Sequence, residues 1–400
     1  MQDEDTGRLL IRGGDTSRLR AYNERLIISK LLDTGPMSKA ELARQTGLSG
    51  QAASVIVNSL LKERLLIKLK KVRGQVGQPS TPVAPNPTGA FSIGVKIGRR
   101  SVEAVLVNLL GDVIASHTYN YAAPLPEETL DAATTLVRTC MEAVDLAARE
   151  RVVGLGVAMP SELHLWPAEL GIEPGAMEAW RDIDVSRLFE AATGLRVMLL
   201  NDATAACAGE MIRGEAISTR SALYIYLGTF IGGGVVVDGH LYRGEQHNAG
   251  AFGSMPAMRG AVGEASQLIH RASVILLDDA LANAGIEPVV AVQKGGVAEA
   301  EPFFSAWADE AAPEVARAIL AAMSVIDFQT VVIDGILNPE WRGKFTRRVT
   351  DELDGLNRTG LSPAAVTTGS IGAMARVTGA AMMPLKERFS PDSDLLVSSK

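Results

Sequence analysis

Apolar residues recur at helical spacing near the start of the chain. Tyr22, Leu26, Ile27 and Leu31 mark a helix over residues 18–33, which Gly35-Pro36 stops. Ser38-Lys39-Ala40-Glu41 has the Ser-x-x-Glu form that satisfies free amides at a helix start, so a short second helix carries Leu42 and Ala43 to Thr46-Gly47. Ser49 is the natural cap of a third helix ending near Lys62. Its Ala53, Ile56, Val57 and Leu60 fall on one side, and Gln51, Ser54 and Asn58 share roughly the opposite one. Residues 65–73 then alternate apolar and basic as a strand does, residues 74–79 read as a turn, and Pro79, Pro82, Pro85 and Pro87 form a proline-rich joint. Beyond Ala90 the pattern changes to strands closing on glycine turns, over 91–98, 102–108, 111–114, 152–160 and 195–202. Two further apolar strands flank residues 228–234, and a helix over 314–326 precedes a strand over 331–335. Such strands, alternating with helices, predict a two-lobed α/β body with a cleft.

Charge separates the two parts. Twelve lysines and arginines face four acids between Ser17 and Val83, a local charge of +8, whereas residues 84–400 carry −13 within a total of −7. A basic module on an acidic body points to a polyanion as partner of the first part alone. Helix, cap, glycine turn, helix and basic strand together form a winged helix-turn-helix. On that reading Ser49, Gln51, Ser54, Val55 and Asn58 meet base edges, Gln51 pairing with adenine and Val55 touching a thymine methyl. Lys70, Lys71 and Arg73 hold phosphates. The plainer alternative is an ordinary three-helix bundle with a solvated basic face.

The acidic first residues do not form a secretory signal, and the apolar run 222–237 is broken by glycines and falls short of a membrane span. Two cysteines, Cys140 and Cys207, cannot build a disulfide framework. A cytoplasmic protein is expected, with a tail over 1–16, the winged module over 17–83, a linker over 84–90 and the body over 91–400.

Over roughly residues 17–385 the chain resembles the repressors of the ROK family, named for repressors, open reading frames and sugar kinases. The resemblance rests on the helix-turn-helix and on Ile93-Gly94-Val95-Lys96-Ile97-Gly98, residues 154–160 (GLGVAMP), Asn201-Asp202-Ala203-Thr204, Gly228-Thr229-Phe230 and residues 249–254 (AGAFGS). It implies an α/β, actin-like and hexokinase-like (ribonuclease H-like) two-lobed ATPase fold around a sugar cleft, with the winged helix in front.

Departures from the family pattern shape the expected function. The family kinases' Asp-x-Gly-Gly-Thr loop reads Lys96-Ile97-Gly98-Arg99-Arg100, and their Gly-Thr-Gly reads Gly228-Thr229-Phe230. Both changes oppose a backbone cradle for ATP phosphates, so no enzymatic activity and no cofactor are expected. The sugar-contacting glutamate and histidine are Ala251 and Ser254, and Met258 to Glu264 replace the cysteine-rich zinc motif, so no metal site is expected. Asn201 and Asp202 match the family's sugar contacts, with Ser254 and His247 completing the expected ligand set; read alone, Asp202 is equally a helix cap. The expectation is a DNA-binding repressor, a homodimer or homotetramer, whose catalytically silent body senses a sugar, sugar alcohol or derivative. The alternatives are an ATP-dependent sugar kinase and a regulator governed by a protein partner.

Overall fold

The computed structural model describes residues 16–70, 81–160, 163–165, 167, 172–173, 175–217, 219–257 and 266–391. Lys71, Arg73, the tail up to residue 15 and the 258–264 stretch lie outside them. The N-terminal module follows its local signals closely. Helix α1 (Thr16–Thr34) ends at Gly35; α2 (Lys39–Thr46) starts where Ser38 Oγ accepts the Glu41 amide at 3.2 Å and stops at Gly47, in a left-handed conformation. Ser49 caps α3 (Gly50–Lys62), accepting the Ala52 amide at 3.1 Å. Ala53, Ile56, Val57 and Leu60 are its buried face.

The strand after α3 is shorter than alternation suggested. Among the described residues it comprises β1 (Leu66–Lys68), pairing antiparallel with β2 (Val83–Pro85), with Leu66 opposite Pro85. Pro85 is tolerated because a two-stranded ribbon has two edges. Ala84 and Pro85 therefore belong to this ribbon rather than to a linker. The rest of the joint is fastened on both sides: Asn86 Nδ2 donates to Arg64 O, the Leu109 amide to Pro87 O, and Arg151 Nε to Thr88 O.

The body uses one plan twice. In the first sheet β3 (Phe91–Ile97), β4 (Ser101–Asn108) and β5 (Val113–Asn120) form an antiparallel meander; after helices α4 (Pro126–Glu142) and α5 (Leu146–Arg149), β6 (Val152–Met159) adds parallel to β3. Helix α6 (Val185–Thr193) leads to β7 (Val197–Asn201), giving the order β5-β4-β3-β6-β7. Helix α7 (Asp202–Arg213) crosses to the second lobe. There β8 (Ala222–Leu227), β9 (Ile231–Val237) and β10 (His240–Tyr242) repeat the meander, followed by the short pair β11 (Pro256–Ala257) and β12 (Ser266–Gln267). Helices α8 (Ile269–Ala272), α9 (Ile275–Asn283) and α10 (Glu301–Met323) precede β13 (Thr330–Gly335). Then α11 (Pro339–Asp354) and β14 (Ala365–Thr368) complete the order β10-β9-β8-β13-β14. The last helix, α12 (Ala375–Phe389), returns to lie on β3 and β6 of the first lobe and against α7.

Two elements differ from the sequence pattern. Gly232, Gly233 and Gly234 sit inside β9 rather than in a loop, because both faces of the strand are crowded. A Cβ on Gly232 would come within 2.7 Å of Ala203 Cβ of α7, one on Gly234 would meet Cys207 of the same helix, and one on Gly233 would lie 2.9 Å from Phe252 Cβ on the other side. Helix α10 starts at Glu301 and runs through Pro313, because burial of Phe304, Trp307, Ala308 and Ala311 outweighs the hydrogen bond that proline removes.

One apolar cluster joins the module to the body. Ile27, Ile28 and Leu31 of α1, with Leu66 and Val83 of the ribbon, share it with Val105 and Val107 of β4 and with Val377, Ala381, Met382, Leu385 and Phe389 of α12. The N-terminal module is thus packed onto the body, not tethered to it. No helix among the described residues is long and apolar enough to cross a membrane.

Candidate functional site

A cleft of about 410 Å³ opens where the ends of the two sheets meet. Gly98, Arg99, Pro160, Asn201 and Asp202 line it from the first sheet's side; Tyr226, Phe230, Gln246 and residues from Asn248 to Ser254 other than Phe252 line it from the second. Asn201 caps α7, its Oδ1 accepting the Ala203 amide at 3.0 Å. The capping role therefore falls on Asn201, and the Asp202 carboxylate is left for the cleft. There Asp202 Oδ2 accepts from Arg376 Nη1, in the first turn of α12, at 3.2 Å. The same guanidinium lies over the Tyr226 ring, 5.0 Å from its centroid.

Beneath this pair is a second one. Register places Lys96 of β3 opposite Glu103 of β4, and Lys96 Nζ lies 2.7 Å from Glu103 Oε1 and 3.1 Å from Ser101 Oγ. Burial, reinforced by the positive charge of Arg376, pushes the Lys96 ammonium down to about 8, against the pull of Glu103 and Asp202. Burial alone would raise the Glu103 carboxyl, yet the Lys96 charge and hydrogen bond hold it below the usual carboxylate range. Lys96 also folds under the loop that follows β3: a Cβ on Gly98 would lie 2.7 Å from its Nζ. The place below this loop is thereby filled from inside. At the rim, the positive charges of Arg99 and Arg100 act on Asp278 and Asp279 of α9; burial nevertheless pushes the Asp278 carboxyl up to about 6.

Of the four sequence-derived ligand positions, Asn201, Asp202 and Ser254 come together in the cleft. His247 does not line it; it is exposed in a turn with a left-handed backbone. Arg376 and Tyr226 escaped sequence reasoning. The available signal for Arg376 was a lone charge among small residues, Gly372-Ala373-Met374-Ala375-Arg376-Val377-Thr378-Gly379. For Tyr226 there was none, since it reads as one more apolar strand position.

On the N-terminal module, Gln51, Val55 and Asn58 are exposed on the outer face of α3, Val55 by 58%, and Ser54 is partly covered. Ser49 spends its hydroxyl on the cap. Lys39 of α2, unnoticed in the sequence, donates to Asn58 Oδ1 at 2.7 Å and approaches Ser54 Oγ at 3.5 Å, holding these two side chains in place. Lys70 is exposed just beyond β1.

Known proteins resemble this arrangement. The xylose repressor of Bacillus spizizenii is 26% identical over 241 residues, 60% of this chain and 62% of that protein, so the chain matches about three fifths of the repressor's length. The glucokinase of Streptomyces coelicolor is 30% identical over 163 residues, 41% of this chain and 49% of that enzyme. The crystal structure of a ROK family transcriptional regulator, a homologue of the E. coli MLC protein, superposes with a TM-score of 0.67 at 19% identity, covering 95% of this chain and 98% of that one. Since residues 92–387, most of the sequence and nearly all of the doubled α/β body, match the ROK family, the chain belongs to that family.

Proposed function

We propose that this chain is a DNA-binding transcriptional repressor of the cytoplasm whose kinase-like body senses a carbohydrate and does not phosphorylate it. The observation that carries the reading is the path of α12. Its first turn puts Arg376 into the cleft, and its later residues Met382, Leu385 and Phe389 share a core with α1 of the N-terminal module. A ligand that competes for Asp202 shifts the Arg376 end of this helix, and the packed far end passes the shift to the module. The two states then differ in affinity for DNA.

On this reading the module is a winged helix-turn-helix. Gln51, Ser54, Val55 and Asn58 face the major groove, with Ser49 at the start of the helix, and Lys70, Lys71 and Arg73 hold phosphates. A dimer, or a dimer of dimers, places two such helices on half-sites about 34–36 Å apart. Asn201, Asp202 and Ser254 take ligand hydroxyls, and His247 joins them only if its loop moves inward. Silence towards ATP is supported by Lys96 beneath Gly98, by Phe230 on the cleft wall, and by the cation already bound to Asp202.

The test is binding of the purified chain to its own upstream DNA and to scrambled DNA across a salt series, with and without sugars and polyols. Equal affinity for both DNAs at every salt concentration sinks the regulator reading. The likeness to glucokinases and the position of Asp202 favour a sugar kinase as second reading. ATP consumption with a hexose, abolished by Asp202→Asn, would establish it.

A further inference from the structure

A second cavity, of about 260 Å³, opens on the seam between the N-terminal module and the body. Arg25 of α1, Arg196 just before β7, and Glu387 and Arg388 in the last turn of α12 line it together, with Met198 and Pro384 as apolar wall. The one carboxylate of this set is already engaged: Glu387 Oε1 pairs with Arg196 Nη2 at 2.7 Å. Arg25, half-buried, and Arg388 have neither ion pair nor hydrogen bond among the described residues. Three guanidiniums against one carboxylate leave the described lining at +2, on a body whose residues 84–400 carry −13.

Water hydrates each guanidinium there but brings no charge, so it does not cancel the repulsion between Arg25 and Arg388. Oxyanions do, and the planar guanidinium fork matches both carboxylate and phosphate oxygens. The space is smaller than the roughly 300–1,000 Å³ of ordinary ligand pockets, so its guest is compact. We propose that this recess is a second ligand site, separate from the cleft, for a compact dianion: a small organic phosphate or dicarboxylate. Its anionic oxygens bridge Arg25 and Arg388, and its carbon skeleton lies on Met198 and Pro384. Since Arg25 belongs to the module and Arg388 to the helix on which the module packs, the dianion ties one to the other. Occupancy then tightens the docking of the module that carries α3.

The test is calorimetric titration of the full chain with inorganic phosphate, glycerol 3-phosphate and succinate, beside neutral succinamide. The dianions should bind at one strong site per chain and raise Tm, and succinamide should do neither. The phosphate and carboxylate arms identify which oxyanion is read. Arg25→Gln and Arg388→Gln should each weaken dianion binding at least tenfold. Without ligand their Tm should stay level or rise, because each relieves a like-charge pair. Arg358→Gln removes a cation paired with Asp354 elsewhere on the body and should leave binding unchanged. An equal loss there would show that only overall charge was measured, and would overturn the proposal. Succinamide binding as tightly as succinate, or dianion affinity that survives both glutamine variants, overturns it too. So does binding that appears only in the combined Asp392→Asn and Asp394→Asn variant, since the chain's own acids would then answer the two guanidiniums. These arms do not depend on DNA. In the operator assay the dianions should shift affinity several-fold in wild type and not in Arg388→Gln. Bound dianion without that shift would overturn the link to the module and leave the repressor reading standing.

Discussion

The Asp202 carboxylate is held by the Arg376 guanidinium at 3.2 Å, and these residues lie 174 positions apart in the chain. Asp202, the match to one of the family's sugar contacts, is thus already in an ion pair that is mostly shielded from water. Wild-type protein with ATP and a panel of hexoses should therefore show ADP release at the background rate in a coupled assay. Turnover above background that disappears in Asp202→Asn would contradict this.

The shared core of α1 and α12 should couple stability to regulation. Leu385 is buried there, and Leu385→Ala should cost about 2–5 kcal/mol in urea unfolding, as large-to-small core changes do. Protein that remains folded should still bind operator but lose most of its response to the effector. A variant with full response would show that the helix is not the route between cleft and module.

On the outer face of α3 the effects should separate by contact type. Gln51→Ala should flatten sequence preference, costing about 1–3 kcal/mol on the preferred operator and little on random DNA. Lys70→Ala should weaken both alike and reduce the salt slope by about 1. Lys39→Met, which removes the support of Asn58 and Ser54, should resemble Gln51→Ala in affecting preference more than general affinity. Fluorescence anisotropy with matched and scrambled duplexes distinguishes these outcomes.

Close helix packing makes two glycines respond oppositely to alanine. A Cβ on Gly379 of α12 would collide with the Ala205 carbonyl of α7, a backbone atom that cannot turn aside. Gly379→Ala should lose about 1–3 kcal/mol or more. Gly343, inside α11, has only the flexible end of Arg347 near its would-be Cβ, at 3.7 Å. Gly343→Ala should gain up to about 1 kcal/mol from helix propensity. Thermal unfolding of the two variants side by side measures the difference.

Lys96 should write its burial into the pH dependence of stability. Its ammonium titrates near 8 in the folded protein and near the ordinary 10.5 in the unfolded chain. Between these values the unfolded chain binds more protons, so wild type should gain stability relative to Lys96→Met as pH rises from about 8 towards 10.5. Below pH 8 both states hold the proton and the difference should be flat. Wild-type stability that stays level or falls relative to Lys96→Met over this range would mean that the lysine is not buried as an ammonium.

The sequence by itself determined what is local. Ser38, Gly47 and Ser49 end and begin helices through bonds made within a few residues, and Ala53, Ile56, Val57 and Leu60 reveal the buried face of α3 by period alone. Most strands of both sheets were legible for the same reason, although the edge strands β10 and β14 were not and β5 runs on to Asn120, and the run of family motifs announced the doubled body. Tertiary structure decided whatever depends on distant partners. It placed the triple glycine in β9, because α7 on one face and Phe252 on the other need the room, and carried α10 through Pro313, because burial outweighs one lost bond. It fastened the proline-rich joint to both its neighbours. The site followed the same division: Asn201 and Asp202 stood out as adjacent residues at a strand end, whereas Arg376 reaches them only because α12 folds back across the first lobe. Side-chain periodicity is a property of neighbours in the chain, and an ion pair spanning 174 positions leaves no trace in it.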